Sequence, residues 1–413
     1  MNMFLNMPDV ELAAHRGVDG VRTHSGCHMR TTFFAALSLA LSTAVTAQAP
    51  RATVPLVTGL AVVGSVREPA GDYESVRRVT GIASDRVTFT ITADRPGQKG
   101  EPPEQIQASR TVLMADLKTA RRLKVRISSG WDADEVYPGT TTSQLSTAGL
   151  TELRATGHTS LTFIDDGTGG INAATAGILE KMMVAAGAGA VSADSAKSIG
   201  ALAVSQGGAG FTVSGTMALV EAGVVPVSIL VNNAVVALPA RHIRGKLTGD
   251  DGDRNADMYV LDDPANPILL QFRVGEDSMT VVRIDWPDAS TAKNMESALA
   301  ARKPVDVYGI YFAYNSAEIR PQSDSTLDAI AAMMKRDPTW KLTVTGHTDN
   351  VGGDASNLAL SQRRSASVKA ALVSRGVAAG RLATGGSGSA APKATNATLV
   401  GRAQNRRVEL SRQ

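Results

Sequence analysis

The chain has 413 residues, 43% of them hydrophobic and 20% charged, with 42 basic against 39 acidic side chains. That length provides for two or three domains, and a net charge of +3 with scattered basic residues leaves no footprint for a nucleic-acid partner. The single cysteine, Cys27, excludes a disulfide framework.

Residues 29–50, "MRTTFFAALSLALSTAVTAQAP", carry one Arg, an apolar core from Phe33 to Leu41 and a run of small residues ending in "VTA". This is the order of an export leader, so 29–47 is read as a signal peptide with the mature chain starting near Gln48. Residues 1–28 lack that order and precede Met29, and are read as a mis-called start. Cys27 lies ahead of the apolar run, where it cannot serve as a lipid-anchor cysteine. After the leader, the nearest approach to a membrane-length apolar stretch, around 210–231, contains Glu221 and Pro226.

Residues 50–290 read as a mostly antiparallel β domain of unknown role. Period-2 alternation marks strands at 86–94, 111–117, 123–128 and 160–165. "VPVSILVNNAVVALPA" (225–240) predicts a hairpin turning at Asn232-Asn233, and 258–287 predicts a strand, a Pro-bounded turn and a second hairpin at Gly275. The 165–211 segment is rich in Gly, Ala and Ser and reads as an insertion with one short helix near 174–185. Aromatic residues make up only 4% of the chain and charges interrupt both strand faces, which argues against membrane-spanning strands.

Three apparent sites in this region dissolve on inspection. "DGDRNAD" places Asp251, Asp253, Asn255 and Asp257 at alternate positions with Asp262 twelfth, as in a calcium loop, but Ala256 stands where the sixth-position glycine is needed. A polar hairpin turn is the expectation. "GTGG" lacks the Lys-Ser/Thr of a phosphate loop. His158, His242 and His347 stand alone without ligand spacing, and no nucleophile motif is present, so no metal, cofactor or catalytic residue is expected.

Residues 291–304 read as a linker, and 305–413 as a second domain. "VDVYGIYF" (305–312) predicts a strand, and Pro321 opens a helix in which Leu327, Ile330, Ala331 and Met334 share a face. "KLTVTGHTD" (341–349) alternates into a strand that exits at Asp349. A helix follows over 358–374, with Asn357 as its expected N-cap and Gly376 as its stop. Short strands near 381–384 and at "RRVELS" complete an α/β sandwich with helices on one mixed sheet. Within the 358–374 helix, Leu360, Arg364, Val368, Ala371 and Leu372 form one stripe, while Gln362, Arg363 and Ser365 point elsewhere. A charge on an inward stripe needs a partner. Two readings are open: Asp349 and Arg364 form an internal salt bridge, or they clamp a zwitterion, the Asp taking an ammonium and the Arg a carboxylate.

Five motifs in order, "FAYNSAEIRP" (312–321), "TGHTDNVG" (345–352), "NLALSQRR" (357–364), "GSGSAAP" (386–392) and "NATLVGRAQNRRVEL" (396–410), resemble the OmpA-like C-terminal domain family. The resemblance covers roughly 305–413 and implies non-covalent binding of peptidoglycan in the bacterial envelope. It implies that Asp349 and Arg364 hold the amino and carboxylate ends of diaminopimelate in the stem peptide. Asn315, Thr348, Asn357, Leu360, Asn405 and Arg406 fall on motif positions near that pocket. The chain departs where the family often has an aromatic and an acid, with Ser387 and Ser389 instead.

The expectation is thus an α+β multidomain, non-enzymatic protein of the periplasm, associated with the cell wall and either free in the periplasm or docked to the outer membrane. The alternative is a carrier or adaptor for lipid or an outer-membrane partner, or an enzyme, whose activity lies in the β domain with the C-terminal domain as anchor. A flagellar-stator-like role requires a membrane helix ahead of the domain, and none is read.

Overall fold

The computed structural model describes residues 53–66, 73–96, 103–125, 134–167, 209–250 and 252–413. The leader, the residues before it and the helix expected at 174–185 lie outside the described residues.

The first region alternates β1 (Ala61–Val66), β2 (Tyr73–Ile82), β3 (Arg86–Arg95), β4 (Glu104–Leu113), a short helix α1 (Met114–Thr119), β5 (Arg122–Lys124), β6 (Asp134–Val136) and β7 (Thr140–Thr141). It continues through α2 (Thr147–Thr156), β8 (His158–Gly167), β9 (Ala209–Leu219), β10 (Val225–Val231), β11 (Ala234–Gly249), β12 (Gly252–Leu261), β13 (Leu269–Val274) and β14 (Asp277–Asp285). The described strands join one sheet in the order β6-β4-β3-β2-β1-β14-β13-β12-β11-β9-β8-β5-β7, with β10 bridging β11 and β14. Most neighbours are antiparallel, and their inward faces supply two apolar clusters, one around Val79, Phe89 and Ile229, the other around Phe163, Met217 and Leu247.

Turn chemistry explains the hairpins. Asn232 and Asn233 adopt φ of 44° and 69°, the double left-handed geometry of a tight hairpin turn, and Gly275 turns at φ 62°. Residues 252–257 of the "DGDRNAD" segment lie in β12 against β11, where Asp253 pairs with Lys246 at 2.5 Å and Asp257 with Arg244 at 2.7 Å; Asp251 lies outside the described residues. Those carboxylates are consumed by cross-strand ion pairs rather than aimed at a common centre.

One expected strand is cut short. Residues 114–117 belong to α1 because Met, Ala, Leu and Lys favour a helix and Met114 N is already held by Asp85 O at 2.8 Å. The expected strand at 123–128 is described only as far as Lys124 within β5.

The linker expectation for 291–304 is overturned by helix α3 (Ala289–Ala300), capped by Asp288, whose carboxylate accepts from Ser290 N. Its Met295 and Leu299 are buried in the core of the following domain, so two apolar residues one turn apart suffice to dock it. That domain contains β15 (Val305–Val307), α4 (Asp324–Arg336) entered through a 3-10 turn at Pro321–Ser323, β16 (Leu342–His347), α5 (Asp354–Ser374), β17 (Leu382–Gly388), α6 (Leu399–Asn405) and β18 (Val408–Arg412). Its sheet runs β15-β18-β16-β17; β16 pairs parallel with β17 and antiparallel with β18. The whole is an α+β protein, with a strand-rich first region and helices on a mixed sheet in the second.

Strand β15 ends at Val307 rather than running to Phe312, because Tyr308, Ile310 and Tyr311 leave the sheet to pack inward. Helix α5 begins at Asp354, four residues earlier than expected, so Asn357 is not its cap but a buried first-turn residue. The inward stripe also differs: Ser361 and Ser365 are fully buried beside Leu360, Val368 and Leu372. The reason is a seam of small residues. A Cβ on Gly346 of β16 would collide with the carbonyl of Ser361, and one on Gly386 of β17 with the Ser361 side chain. Glycines in the sheet let the helix backbone approach, and serines fill the remaining space.

The two regions meet through a shared apolar cluster in which Ala61, Val63, Val76, Leu230 and Val282 pack against Tyr308, Tyr311 and Ala403. Polar ties surround it. Arg320 pairs with Asp94, its Nε donating at 3.1 Å, Gln322 Nε2 donates to Thr92 Oγ1 at 2.9 Å, and Tyr308 N donates to Asn233 Oδ1 at 3.3 Å. Among the described residues no helix is long and apolar enough to cross a membrane.

Candidate functional site

Between the β2–β4 face and the C-terminal sheet lies a cleft of about 920 Å³. It is walled by Asn315, Thr348, Asp349, Asn357, Leu360, Arg364 and Arg406 on one side and by Glu74, Arg78, Thr92 and Arg283 on the other. Seven of the eight residues expected from sequence therefore line one space. The eighth, Asn405, does not: it is fully buried, accepting from Lys393 N (2.7 Å) and Ala394 N (3.0 Å) and donating to Ala394 O and Asn396 Oδ1. Its place is to hold the loop before α6. Neither Ser387 nor Ser389 borders the cleft; Ser389 Oγ instead donates to Asp354 Oδ1 at 3.0 Å.

Asp349 lies just past β16, in a loop tied down by its own side chain. Val351 N donates to Asp349 Oδ1 at 3.0 Å, and Asn357 Nδ2 donates to the carbonyls of Asp349 and Val351 at 3.3 and 3.2 Å. Asn357 thus fixes the turn that presents the carboxylate. The remaining oxygen, Oδ2, accepts from Arg406 Nη1 at 2.6 Å.

Arg364 comes from the middle of α5. Its Nε donates to Ser316 O at 2.9 Å and its guanidinium lies 4.7 Å from the Phe312 ring centre. Among the described residues it makes no ion pair with a carboxylate. Burial, helped by the nearby Arg406 charge, pushes its pKa down to about 10. The internal Asp349–Arg364 bridge, one of the two readings open from sequence, is therefore not the arrangement found; the ion pair of Asp349 is with Arg406.

Arg406 is shared. One fork holds Asp349 and the other holds Glu74 of β2, a carboxylate delivered by the first region. Burial works against the charge on Arg406, but Glu74 and Asp349 outweigh it and raise its pKa. For Glu74, burial pushes upward, and the charges of Arg406, Arg283 and Arg364 more than offset it, holding the carboxyl below its usual range. Arg283 stacks over Tyr311 at 4.4 Å and pairs with Asp285 at 3.0 Å.

His347 and Thr348 also border the cleft, each 5% exposed. Both imidazole nitrogens and the Thr348 hydroxyl have no hydrogen-bond partner among the described residues. Burial, followed by the Arg407 charge, drives the His347 pKa down to about 4, so the ring is neutral at pH 7. Sequence reasoning set His347 aside as a lone histidine and missed Glu74, Phe312 and Arg283. Phe312 sits in a quoted motif, whereas nothing local marks Glu74.

A mixed sheet with an acid at a strand exit and a guanidinium on the next helix defines the C-terminal region as an OmpA-like α/β domain. The OmpA family model matches residues 311–406, so the match is to this C-terminal domain.

The probable lipoprotein YiaD of Escherichia coli K12 is 43% identical over 102 residues, 25% of this chain and 47% of that one. The peptidoglycan-binding protein ArfA of Mycobacterium tuberculosis H37Rv is 39% identical over 124 residues, 30% of this chain and 37% of that one. The chain thus spans less than half the length of either relative. Among solved structures, the peptidoglycan-associated lipoprotein from Burkholderia pseudomallei is 29% identical, covering 30% of this chain and 99% of that one, with a TM-score of 0.26.

Proposed function

We propose that the C-terminal domain binds peptidoglycan non-covalently and links the protein to the cell wall. In this reading the diaminopimelate end of the stem peptide enters the cleft, Asp349 accepts its ammonium and Arg364 takes its carboxylate. The observation that carries it is Arg364: a guanidinium held by Ser316 and Phe312 at a cleft wall, with no carboxylate of its own among the described residues. Such a group is oriented and short of an anion, which is the state a carboxylate ligand requires. The unpartnered Thr348 hydroxyl offers a further polar contact, and Asn315 and Leu360 shape the wall between the charges. The family match and a relative named as peptidoglycan-binding support the same reading.

Each charge-assisted contact contributes about 1.5–3 kcal/mol, so two of them give modest affinity at one site. Retention then rests on the high local density of stem peptides in the polymer. The leader expected at 29–47 delivers the chain to the periplasm, where wall and outer membrane are both within reach.

The test is sedimentation of the purified chain with insoluble sacculi beside Asp349→Ala and Arg364→Ala. The expected outcome is that the parent pellets while both folded variants stay in the supernatant. Variants that pellet as well as the parent would refute the clamp.

A further inference from the structure

We infer that Glu74, supplied by β2 of the strand-rich region, sets both the affinity and the ligand selectivity of the cleft by competing with the ligand's carboxylate. The inference rests on the peptidoglycan reading above and extends it to a residue outside the C-terminal domain.

Asp349, Glu74, Arg406 and Arg364 form one charged cluster in a cleft that Arg78 and Arg283 also line. Asp349 and Glu74 each occupy one fork of Arg406, and Arg364 lies near enough for its charge to act on Glu74. Arg283 pairs with Asp285 and its charge also acts on Glu74. Guanidiniums outnumber carboxylates along the cleft, so Glu74 is one of the few groups there that repel a carboxylate. Without Glu74 the site loses one negative charge and attracts a carboxylate more strongly.

Position makes Glu74 a competitor rather than a bystander. It pairs across to Ser65 of β1, so the strand ladder holds it at the cleft wall. Its side chain is 30% exposed and that of Arg406 is 29% exposed, so the pair is open to a ligand arriving from water. A ligand carboxylate approaching Arg364 meets the repulsion of Glu74 and finds Arg406 already occupied. Docking of the two regions does not depend on this pair, since the apolar cluster and the Arg320–Asp94, Gln322–Thr92 and Tyr308–Asn233 contacts span the same boundary.

The experiment compares the parent chain, Glu74→Gln and Arg364→Ala by calorimetry with meso-diaminopimelate and with pimelate, which keeps both carboxylates but has no ammonium, and by sedimentation with sacculi. Removing one like charge at this separation predicts about three- to tenfold tighter binding of diaminopimelate by Glu74→Gln. It also predicts tighter pimelate binding by that variant than by the parent. Asn233→Gly, which keeps the turn but removes a contact between the regions away from the cleft, serves as the docking control and is expected to bind as the parent does.

Equal or weaker binding by Glu74→Gln, with Arg364-dependent pelleting of the parent intact, overturns the role of Glu74 alone. Tightening of the same size in Asn233→Gly overturns it too, because loosened docking then explains the gain. If the parent fails to pellet, or pellets without need of Arg364, the peptidoglycan reading itself falls and takes this inference with it.

Discussion

Arg364 lies with its guanidinium 4.7 Å from the centre of the Phe312 ring, and this contact, with one hydrogen bond to Ser316 O, is what orients it. A ring face is a weak counter-charge that leaves the outer edge of the guanidinium available. Phe312→Leu keeps an apolar side chain but removes the π face, so Arg364 loses its preferred pose. We expect about fivefold weaker binding to sacculi with little change in melting temperature.

His347 predicts a pH dependence with a definite sign. Its pKa falls from 6.5 to about 4 in the fold through burial and the Arg407 charge, with Asp306 opposing and Lys393 adding to it. The unfolded chain therefore binds the extra proton first as pH drops, and stability is lost between pH 6.5 and about 4, by on the order of 3 kcal/mol. Thermal melts across that window should show His347→Gln losing distinctly less stability on acidification than the parent. Parallel profiles would count against a buried neutral ring.

Asn405 separates a scaffold role from a ligand role. Its carboxamide accepts from two backbone amides and donates to two oxygens in the loop before α6, entirely out of solvent. Asn405→Ala leaves those groups unpaired and should cost about 2–4 kcal/mol in denaturant titration. Binding by the protein that remains folded should be unchanged, unlike that of Arg364→Ala.

The glycine seam under α5 gives the sharpest structural test. Gly346→Ala sets a methyl group into the backbone carbonyl of Ser361, with no flexible side chain to yield. A loss of about 3 kcal/mol or more is expected in equilibrium unfolding, against a small effect for Ala at exposed Gly353.

Asp94 reports on the union of the two regions. It receives Arg320 and the Tyr314 amide, the latter at 3.2 Å, and both partners of the ion pair are less than one-fifth exposed. Asp94→Asn should cost about 1–3 kcal/mol, because it leaves the mostly buried Arg320 guanidinium with only the exposed Glu318, at 2.9 Å, as counter-charge. Calorimetry should then show a broadened or split transition where the parent shows one.

Sequence was most informative where the signal is local. Leu327, Ile330 and Met334 repeat with the helical period and all are buried, and Asn232-Asn233 is a hairpin turn wherever it flanks two strands. Asp349 and Arg364 stand out as candidates in the sequence because a strand exit and a helix stripe can each be read in isolation. The start of α5 was misplaced because Asn357 has the chemistry of a cap, yet its side chain reaches back to the 349–351 loop instead. Ser365 reads as outward because hydrophobic periodicity does not register an interface made of glycine and serine. The pairing of Asp349 with Arg406 spans 57 positions and that of Glu74 with Arg406 spans 332. No local pattern encodes either, so the part of the site that joins two domains could be seen only once they were folded together.

The place of β16 in its sheet has a mechanical consequence. It is hydrogen-bonded on both sides, to β17 and β18, and Asp349 follows directly from its end. Under the clamp proposed above, tension directed along the strand axis at that residue would load both ladders in shear, so that their bonds share the force. An edge strand pulled sideways would open like a zipper, one bond after another. The same clamp built on the edge strands β15 or β17 would therefore yield at a lower force.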